Sequence, residues 1–140
     1  NSQNLANTVW AFATAGHASP VLFDAIAAVA KARLKDFNSQ ELANTVWAFA
    51  TAGHASPVLF DAIAEVAKAR LKDFNSQELA NTVWAFATAG HASPVLFDAI
   101  AKVAKAHLKD FNSQALANTV WAFAVFDRQA SVFSSTHFLR

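Results

Sequence analysis

The sequence contains no cysteine, methionine or tyrosine, and it has only three glycines and three prolines in 140 residues. Without cysteine the chain can form neither disulfides nor thiolate metal sites, and its redox compartment stays unassigned. Glycine and proline are the residues that break helices, so their scarcity beside abundant alanine favours a helical chain. Charged residues make up only 15% and hydrophobic residues 54%, which excludes a disordered segment and allows a buried core.

The charges nearly balance, because 11 Lys and Arg stand against 10 Asp and Glu for a net charge of +1. A protein that holds nucleic acid mainly through phosphates usually carries a strong basic surplus. The balance therefore counts against RNA binding that depends chiefly on phosphate contacts.

The chain repeats itself every 37 residues, and four tryptophans mark the register at Trp10, Trp47, Trp84 and Trp121. Such a period is typical of one supersecondary unit stacked on copies of itself. We therefore predict an all-α fold, an α-solenoid of tandem helix-turn-helix units in one continuous domain. The units are 1–37, 38–74, 75–111 and a partial, divergent one at 112–140. Near-identity between the blocks fits recent duplication and deliberate design alike.

The first helix of each unit has clear start and stop signals. Asn38 and Glu41 stand at the N-cap and N3 positions of a capping box. The helix is expected to end at Ala52, because Gly53 follows as a residue suited to a left-handed C-terminal cap.

The second helix of each unit begins with a Ser-Pro pair. Ser56 is a candidate N-cap and Pro57 occupies the first helical position, so we expect a helix from Pro57 to about Lys72. This pattern predicts seven helices in the chain. In the last unit Asp127 replaces the glycine and the proline is missing, which predicts a shortened second helix from near Asp127 or Ser131, or a ragged tail.

Helical periodicity assigns a buried and an open side to each helix. The first helix places its apolar face at Leu42, Val46, Phe49 and Ala50, and opposite it Gln40, Asn44, Ala48 and Thr51. The second helix has a buried arc at Leu59, Phe60, Ile63, Val66, Ala67 and Leu71, and a charged stripe at Asp61, Glu65, Lys68 and Lys72. We interpret the charged stripe as the convex side of the solenoid, so that the polar stripe of the first helices lines the concave side.

The polar stripe supplies the candidate RNA-binding residues. They are Gln3, Asn7, Thr14, Gln40, Asn44, Thr51, Gln77, Asn81, Thr88, Gln114 and Asn118. An asparagine amide can pair with a base edge, as in helical arrays that read one base per repeat. The alternative is an asparagine ladder that satisfies groups of the adjacent repeat, with threonines that bond back to their own helix.

The cations at the ends of the second helices are candidate phosphate contacts. They are Arg33, Lys35, Arg70, Lys72 and Lys109. Neighbouring carboxylates nearly cancel their charge, so a mixed solvated face is the alternative interpretation. Arg70 lies near the buried arc, from which its long stem can reach solvent.

Two further residue types recur once per unit. Trp47 and its copies can stack bases, but their place beside the apolar face favours a core position between repeats. His17, His54 and His91 stand in the turn without a second ligand nearby, which favours solvent-facing loop residues over metal ligands. The sequence shows no nucleophile–base pair, phosphate loop or paired buried carboxylates, so we expect no enzyme, cofactor or metal.

The segment ELANTVWAFA, Glu41–Ala50, followed by a glycine and SPVLFDAIA, resembles the octotricopeptide repeat family and its 37-residue relatives, the heptatricopeptide repeats. The resemblance covers Asn1 to about Phe126. It implies a helical-hairpin array that binds single-stranded RNA in mitochondria or chloroplasts, with base contacts from the first helix. If each repeat reads one base, the identical stripes predict a preference for a homopolymeric stretch. A protein-interaction scaffold, or a purely structural or consensus-designed array, is the alternative.

Three further expectations concern the ends of the sequence and its longest uncharged run. The first residue is not Met and no signal-like or transit-like arm precedes the repeats, which indicates a piece of a longer protein. The uncharged run 42–60 has a turn signal in its middle, so we expect two short helices and no membrane span. The bare first unit and divergent last unit predict self-association of the chain.

Overall fold

The computed structural model describes residues 2–16, 19–54 and 56–138. This part of the chain forms seven α-helices and contains no strand, which confirms the predicted all-α solenoid. The helices are α1 Ser2–Thr14, α2 Pro20–Ala32, α3 Ser39–Thr51, α4 Pro57–Ala69, α5 Ser76–Thr88, α6 Pro94–Ala106 and α7 Ser113–Phe138. Short 3₁₀ turns follow α2, α4 and α6 at Leu34–Asp36, Leu71–Asp73 and Leu108–Asp110.

The predicted helix starts are confirmed in atomic detail. The Asn38 side chain accepts a hydrogen bond from the Glu41 N–H at 2.8 Å, and Glu41 Oε1 accepts one from the Asn38 N–H at 2.9 Å. Gly53 has a φ of +71°, the left-handed conformation that ends α3. The second helix ends earlier than predicted, at Ala69, because the Arg70 N–H bonds back only three residues and tightens the chain into the 3₁₀ turn.

The helices form two layers. The first helices α1, α3, α5 and α7 pack closely side by side, whereas α2, α4 and α6 form a looser second layer. No helix in the described residues is at once long and apolar enough to cross a membrane.

The core lies between successive repeats. Phe60 of α4 packs against Phe86 of α5 with ring centroids 5.0 Å apart, and both side chains are fully buried. Phe23 and Phe49 make the same contact one repeat earlier, at 5.1 Å. Each repeat therefore completes its core only through its neighbour, as expected of a solenoid.

The turn histidines bridge neighbouring repeats. His54 Nε2 lies 2.7 Å from Asp24 Oδ1, and His91 repeats the contact with Asp61 at the same distance. Both imidazoles also pack against phenylalanine rings of the core. The prediction of solvent-facing loop residues was therefore wrong in part for these two, because they lie in the loop but are half-buried against the preceding repeat. His17 lies outside the described residues.

Arg70 makes a second polar link between repeats. Its guanidinium donates a hydrogen bond to the carbonyl of Phe37, at the end of the preceding repeat. This contact explains why a cation stands near the buried arc. At the equivalent position of the next repeat, His107 is exposed, and its Nδ1 lies 3.8 Å from Asp110 Oδ2.

The last repeat departs from both conformations expected for it. α7 is one continuous helix from Ser113 to Phe138, so up to residue 138 the last repeat has neither a separate second helix nor a ragged tail. The physical reason is that Asp127 stands where the other repeats place a glycine at positive φ, and no proline follows to restart a helix. The ring centroids of Phe126 and Phe97 are 5.0 Å apart. In the earlier repeats a histidine packs against the phenylalanine equivalent to Phe97.

Candidate nucleic-acid interface

Four positions of each first helix face solvent on one side of the first-helix layer. In α3 they are Gln40, Asn44, Trp47 and Thr51, which follow one another at spacings of four, three and four residues. Such spacing aligns side chains along one face of a helix. Gln40 and Thr51 are exposed, and Asn44 and Trp47 are half-buried. We call these positions and their register equivalents in α1, α5 and α7 the first-helix face.

One predicted member of this stripe lies elsewhere. Ala48 was expected on the polar side, but it is fully buried, and Trp47 takes its place. The reason is that α3 is covered on two sides. Its counterpart Ala11 in α1, which has no described helix before it, is exposed. Position 48 therefore packs against the preceding first helix, where a small side chain allows close approach.

The tryptophans form a ladder along the first-helix face. The ring centroids of Trp47 and Trp84 are 6.4 Å apart with an interplanar angle of 29°, and those of Trp84 and Trp121 are 6.5 Å apart with an angle of 36°. Trp10 and Trp121, at the two ends, are each 46% exposed. The prediction of a core position was therefore wrong in part, because the rings contact the core edge and each other while their outer parts face solvent.

The amides lie beside this ladder. Gln77 Nε2 donates to Asn81 Oδ1 at 3.0 Å along α5, which holds the asparagine side chain in place. In the described part of the chain, no hydrogen bond joins Asn44 or Asn81 to a neighbouring repeat, so an asparagine ladder is not observed there.

The threonines divide into two kinds. Thr45 and Thr82 are buried and donate to the carbonyl four residues earlier at 2.7 Å. Thr51 and Thr88 are exposed at the ends of α3 and α5. The predicted site threonines are thus on the open side of the helix. The remaining predicted amides and threonine are also exposed or half-buried: Gln3, Asn7, Thr14, Gln114 and Asn118.

The predicted phosphate contacts are not gathered on the same face. Lys72 lines a groove between α4 and α6 in the second-helix layer. The Arg70 guanidinium already bonds to the Phe37 carbonyl, a contact that a phosphate would have to replace. The others, Arg33, Lys35 and Lys109, are exposed at the ends of the second helices. Helices α1, α3 and α5 contain no lysine or arginine.

Sequence reasoning missed the tryptophans as members of this site, although their spacing from the stripe residues matches the helical series. Ala48 matches that series as well, so the spacing alone does not decide between the two positions. Among the described residues, no group of three His, Asp or Glu side chains is arranged to hold a metal ion.

A comparison with protein families adds an independent finding. A family model described as RNA-editing substrate-binding complex 6 protein (RESC6) matches residues 1–136. Since the match spans nearly the whole chain, the chain belongs to this family. A search of curated proteins found no match. The expected connection with RNA is thus supported at the level of the family name, and the match does not specifically indicate octotricopeptide or heptatricopeptide repeats.

Proposed function

We propose that this chain is an RNA-binding helical-repeat scaffold, and not an enzyme, that holds single-stranded RNA along the first-helix face. The observation that carries the proposal is the ladder of half-exposed tryptophans beside a row of amides. Membership in a family named for RNA-editing substrate binding supports it. The finer elements of the proposal are the concave placement of this face, the octotricopeptide or heptatricopeptide repeat type, and a mitochondrial or chloroplast location.

Stacking on the indoles is the main attractive contact in this scheme. Aromatic side chains bind bases of any type through their π-faces. Bases would stack on the solvent-facing parts of these rings, whose centroids follow one another at 6.4 and 6.5 Å along the ladder. The amides at Asn44 and Asn81 are then near enough to the base edges to supply a preference among bases.

The absence of cations from α1, α3 and α5 shapes the expected binding. Since few phosphates are neutralised, few counterions are released, and the affinity should fall only weakly with salt. The exposed Arg33, Lys35, Lys72 and Lys109 act at most as flanking phosphate contacts.

The test is binding of labelled RNA homopolymers at low and moderate salt. The scheme expects one homopolymer to bind more tightly than the others, with a shallow salt dependence. Trp84→Leu should weaken binding roughly 5- to 150-fold, because stacking is worth about 1–3 kcal/mol per base. Trp84→Phe, which keeps an aromatic ring, should lose much less, and Val95→Ala in the second-helix layer should change nothing.

Two outcomes would contradict parts of this scheme. Equal binding of every homopolymer would remove base readout and leave stacking alone. No binding at low salt would remove the RNA function and favour the rival proposal, a protein-interaction scaffold or a purely structural array. The near-zero net charge is the observation that favours this rival. Recovery of a protein partner without RNA cross-linking would support it.

We also propose that the chain associates with itself head to tail. Val46 and Val83, buried completely by the next first helix, correspond to Val120, which is 67% exposed on α7. On the other side, Thr45 is buried whereas Thr8 in α1 is exposed. The two open sides are those that meet at every internal junction, so α1 of a second copy can continue the first-helix layer beyond α7.

A further inference from the structure

An open groove of about 630 Å³ runs between α4 and α6 in the second-helix layer. Leu71, Val95 and Val103 form its apolar floor. Val95 is 55% exposed and Val103 is half-buried, so these two side chains are accessible to solvent, whereas Leu71 is buried. A groove of this volume lies within the range of ligand-binding sites, about 300–1,000 Å³.

Three lysines line the rim of this groove, namely Lys68, Lys72 and Lys102, with Asp98 as the one carboxylate in its lining. All three ammonium groups are on exposed residues. In the described part of the chain none of them lies within 4.0 Å of a carboxylate, because the ion pairs found there involve only histidines. The rim therefore carries positive charge that the molecule itself does not neutralise by contact.

The same positions one repeat earlier, between α2 and α4, provide a natural comparison. There the equivalents of Lys102 and Asp98 are Glu65 and Asp61, beside two lysines, Lys31 and Lys35. The formal charge of these four positions is 2 − 2 = 0, against 3 − 1 = +2 between α4 and α6. Asp61 is also hydrogen-bonded to His91 of the following repeat. The residue that corresponds to this histidine for Asp98 is Arg128, which lies within α7. Glu65 and Lys102 occupy the same register, and this one exchange of residue type makes the four positions neutral between α2 and α4 and cationic between α4 and α6.

We propose that the groove between α4 and α6 is a docking site for an acidic amphipathic helix of a partner protein. Apolar side chains along one face of that helix would cover Val95 and Val103, and carboxylates at its edges would meet the three lysines. The charge of the rim selects an acidic partner, and the apolar floor selects a peptide over RNA, since a phosphate backbone cannot bury valine side chains. The 13 residues of α4 span about 20 Å, which matches a partner helix of similar length.

The site does not depend on the proposed RNA function. It lies in the second-helix layer, whereas the tryptophan ladder lies on the first helices. RNA and the partner helix can therefore bind together, and the failure of one proposal leaves the other intact.

The experiment uses a synthetic fluorescein-labelled peptide of about 14 residues, with leucines on one helical face and glutamates on both sides of it. Fluorescence anisotropy should show one site per chain. Lys102→Glu, which gives the groove the charge of its neutral counterpart, should lower the affinity about tenfold. Glu65→Lys, the reciprocal change, should create a second site and double the stoichiometry. Each variant places at one position the residue that already occurs at the equivalent position of the other repeat. Circular dichroism checks that the fold is kept.

Control probes separate this site from simple charge attraction. A peptide with glutamine in place of leucine, and one with lysine in place of glutamate, should each bind at least tenfold more weakly. Unchanged peptide affinity in Lys102→Glu, no second site in Glu65→Lys, or equal binding of the glutamine peptide would each overturn the proposal. If Lys102→Glu instead weakened poly(U) binding and left the peptide unaffected, the groove would be assigned to RNA phosphates.

Discussion

Single side chains decide how firmly neighbouring repeats are joined. Arg70 reaches back to the carbonyl of Phe37, whereas His107 at the next junction is too short to make the equivalent bond to Phe74 and remains exposed. The two junctions therefore differ by one hydrogen bond from a charged donor. A hydrogen bond to a charged group typically contributes about 1.5–3 kcal/mol, and the half-buried position of Arg70 places this bond at the lower end of that range.

This difference predicts a reciprocal effect on stability. Arg70→His should lower the free energy of unfolding by about 1–2 kcal/mol, and His107→Arg should raise it by about 1 kcal/mol by supplying a donor for the Phe74 carbonyl. Arg33→His is the matched control, because Arg33 has no described repeat before it and should stay within about 0.5 kcal/mol. Urea unfolding followed by circular dichroism measures all three. A loss in Arg33→His as large as that in Arg70→His would show that the inter-repeat bond is not the cause.

The half-exposed tryptophans set a second expectation. Trp84→Ala should lower the free energy of unfolding by about 1.5–2.5 kcal/mol, because only part of the ring is buried. A fully buried aromatic residue would lose about 3–5 kcal/mol. Phe86→Ala, in the same helix and fully buried, provides the comparison and should reach the higher range. Equal losses in the two variants, measured by chemical unfolding, would mean that the ring belongs to the core after all.

Residues whose role is local were predictable from the sequence, and those with distant partners were not. Asn38, Gly53 and Ser56 act on backbone groups within a few residues, so their motifs determine their contacts. The partners of His54 and Arg70 stand 30 and 33 residues away along the chain. No helical periodicity contains that information. The position of Trp47 was misassigned because it lies at the border between the apolar and polar arcs, where the packing of the adjacent helix decides which side is open.

At the scale of helices, α7 shows what the turn motif contributes. The first three repeats break the chain with a glycine at positive φ and a Ser-Pro pair, and α7 continues where both are missing. The loss of the motif could be seen in the sequence, but its result could not, because continuation, restart and fraying differ little in local propensity.

Restoring the motif should therefore split α7. The triple change Asp127→Gly, Ala130→Ser and Ser131→Pro returns a left-handed cap, an N-cap and an N1 proline to their registers. Backbone chemical shifts should then lose their helical values between positions 127 and 130 and keep them on both sides. Asp127→Ala, which offers no preference for positive φ, should leave the helix continuous. Helical shifts throughout in the triple variant would show that packing on Phe97 dictates the continuous helix.

At the scale of the molecule, the open sides of α1 and α7 predict an association with a defined polarity. Wild-type mass should rise with concentration in sedimentation experiments. Val120→Glu on α7 and Thr8→Glu on α1 should each remain monomeric, because a carboxylate on either side would be buried without a partner. Val21→Glu, at an 80% exposed position of α2, is the control and should associate like the wild type.

A mixture of the two monomeric variants tests the polarity directly. Each variant keeps one intact side, so together they should form a dimer and nothing larger. Two variants that stay monomeric in the mixture, or a Val120→Glu chain that associates as well as wild type, would contradict a head-to-tail junction.

The equivalence of the junctions has a genetic consequence. Because α1 meets α3 through the same positions by which α3 meets α5, excising residues 38–74 would join Phe37 to Asn75 and keep the helix packing at the new seam, with the loss of the Arg70 bond to Phe37. Unequal crossing-over between such similar coding segments could therefore shorten or lengthen the protein by whole blocks without passing through a misfolded product. The number of blocks, and with it the reach of the tryptophan row, is then a quantity that evolution can adjust separately from the chemistry of any one block.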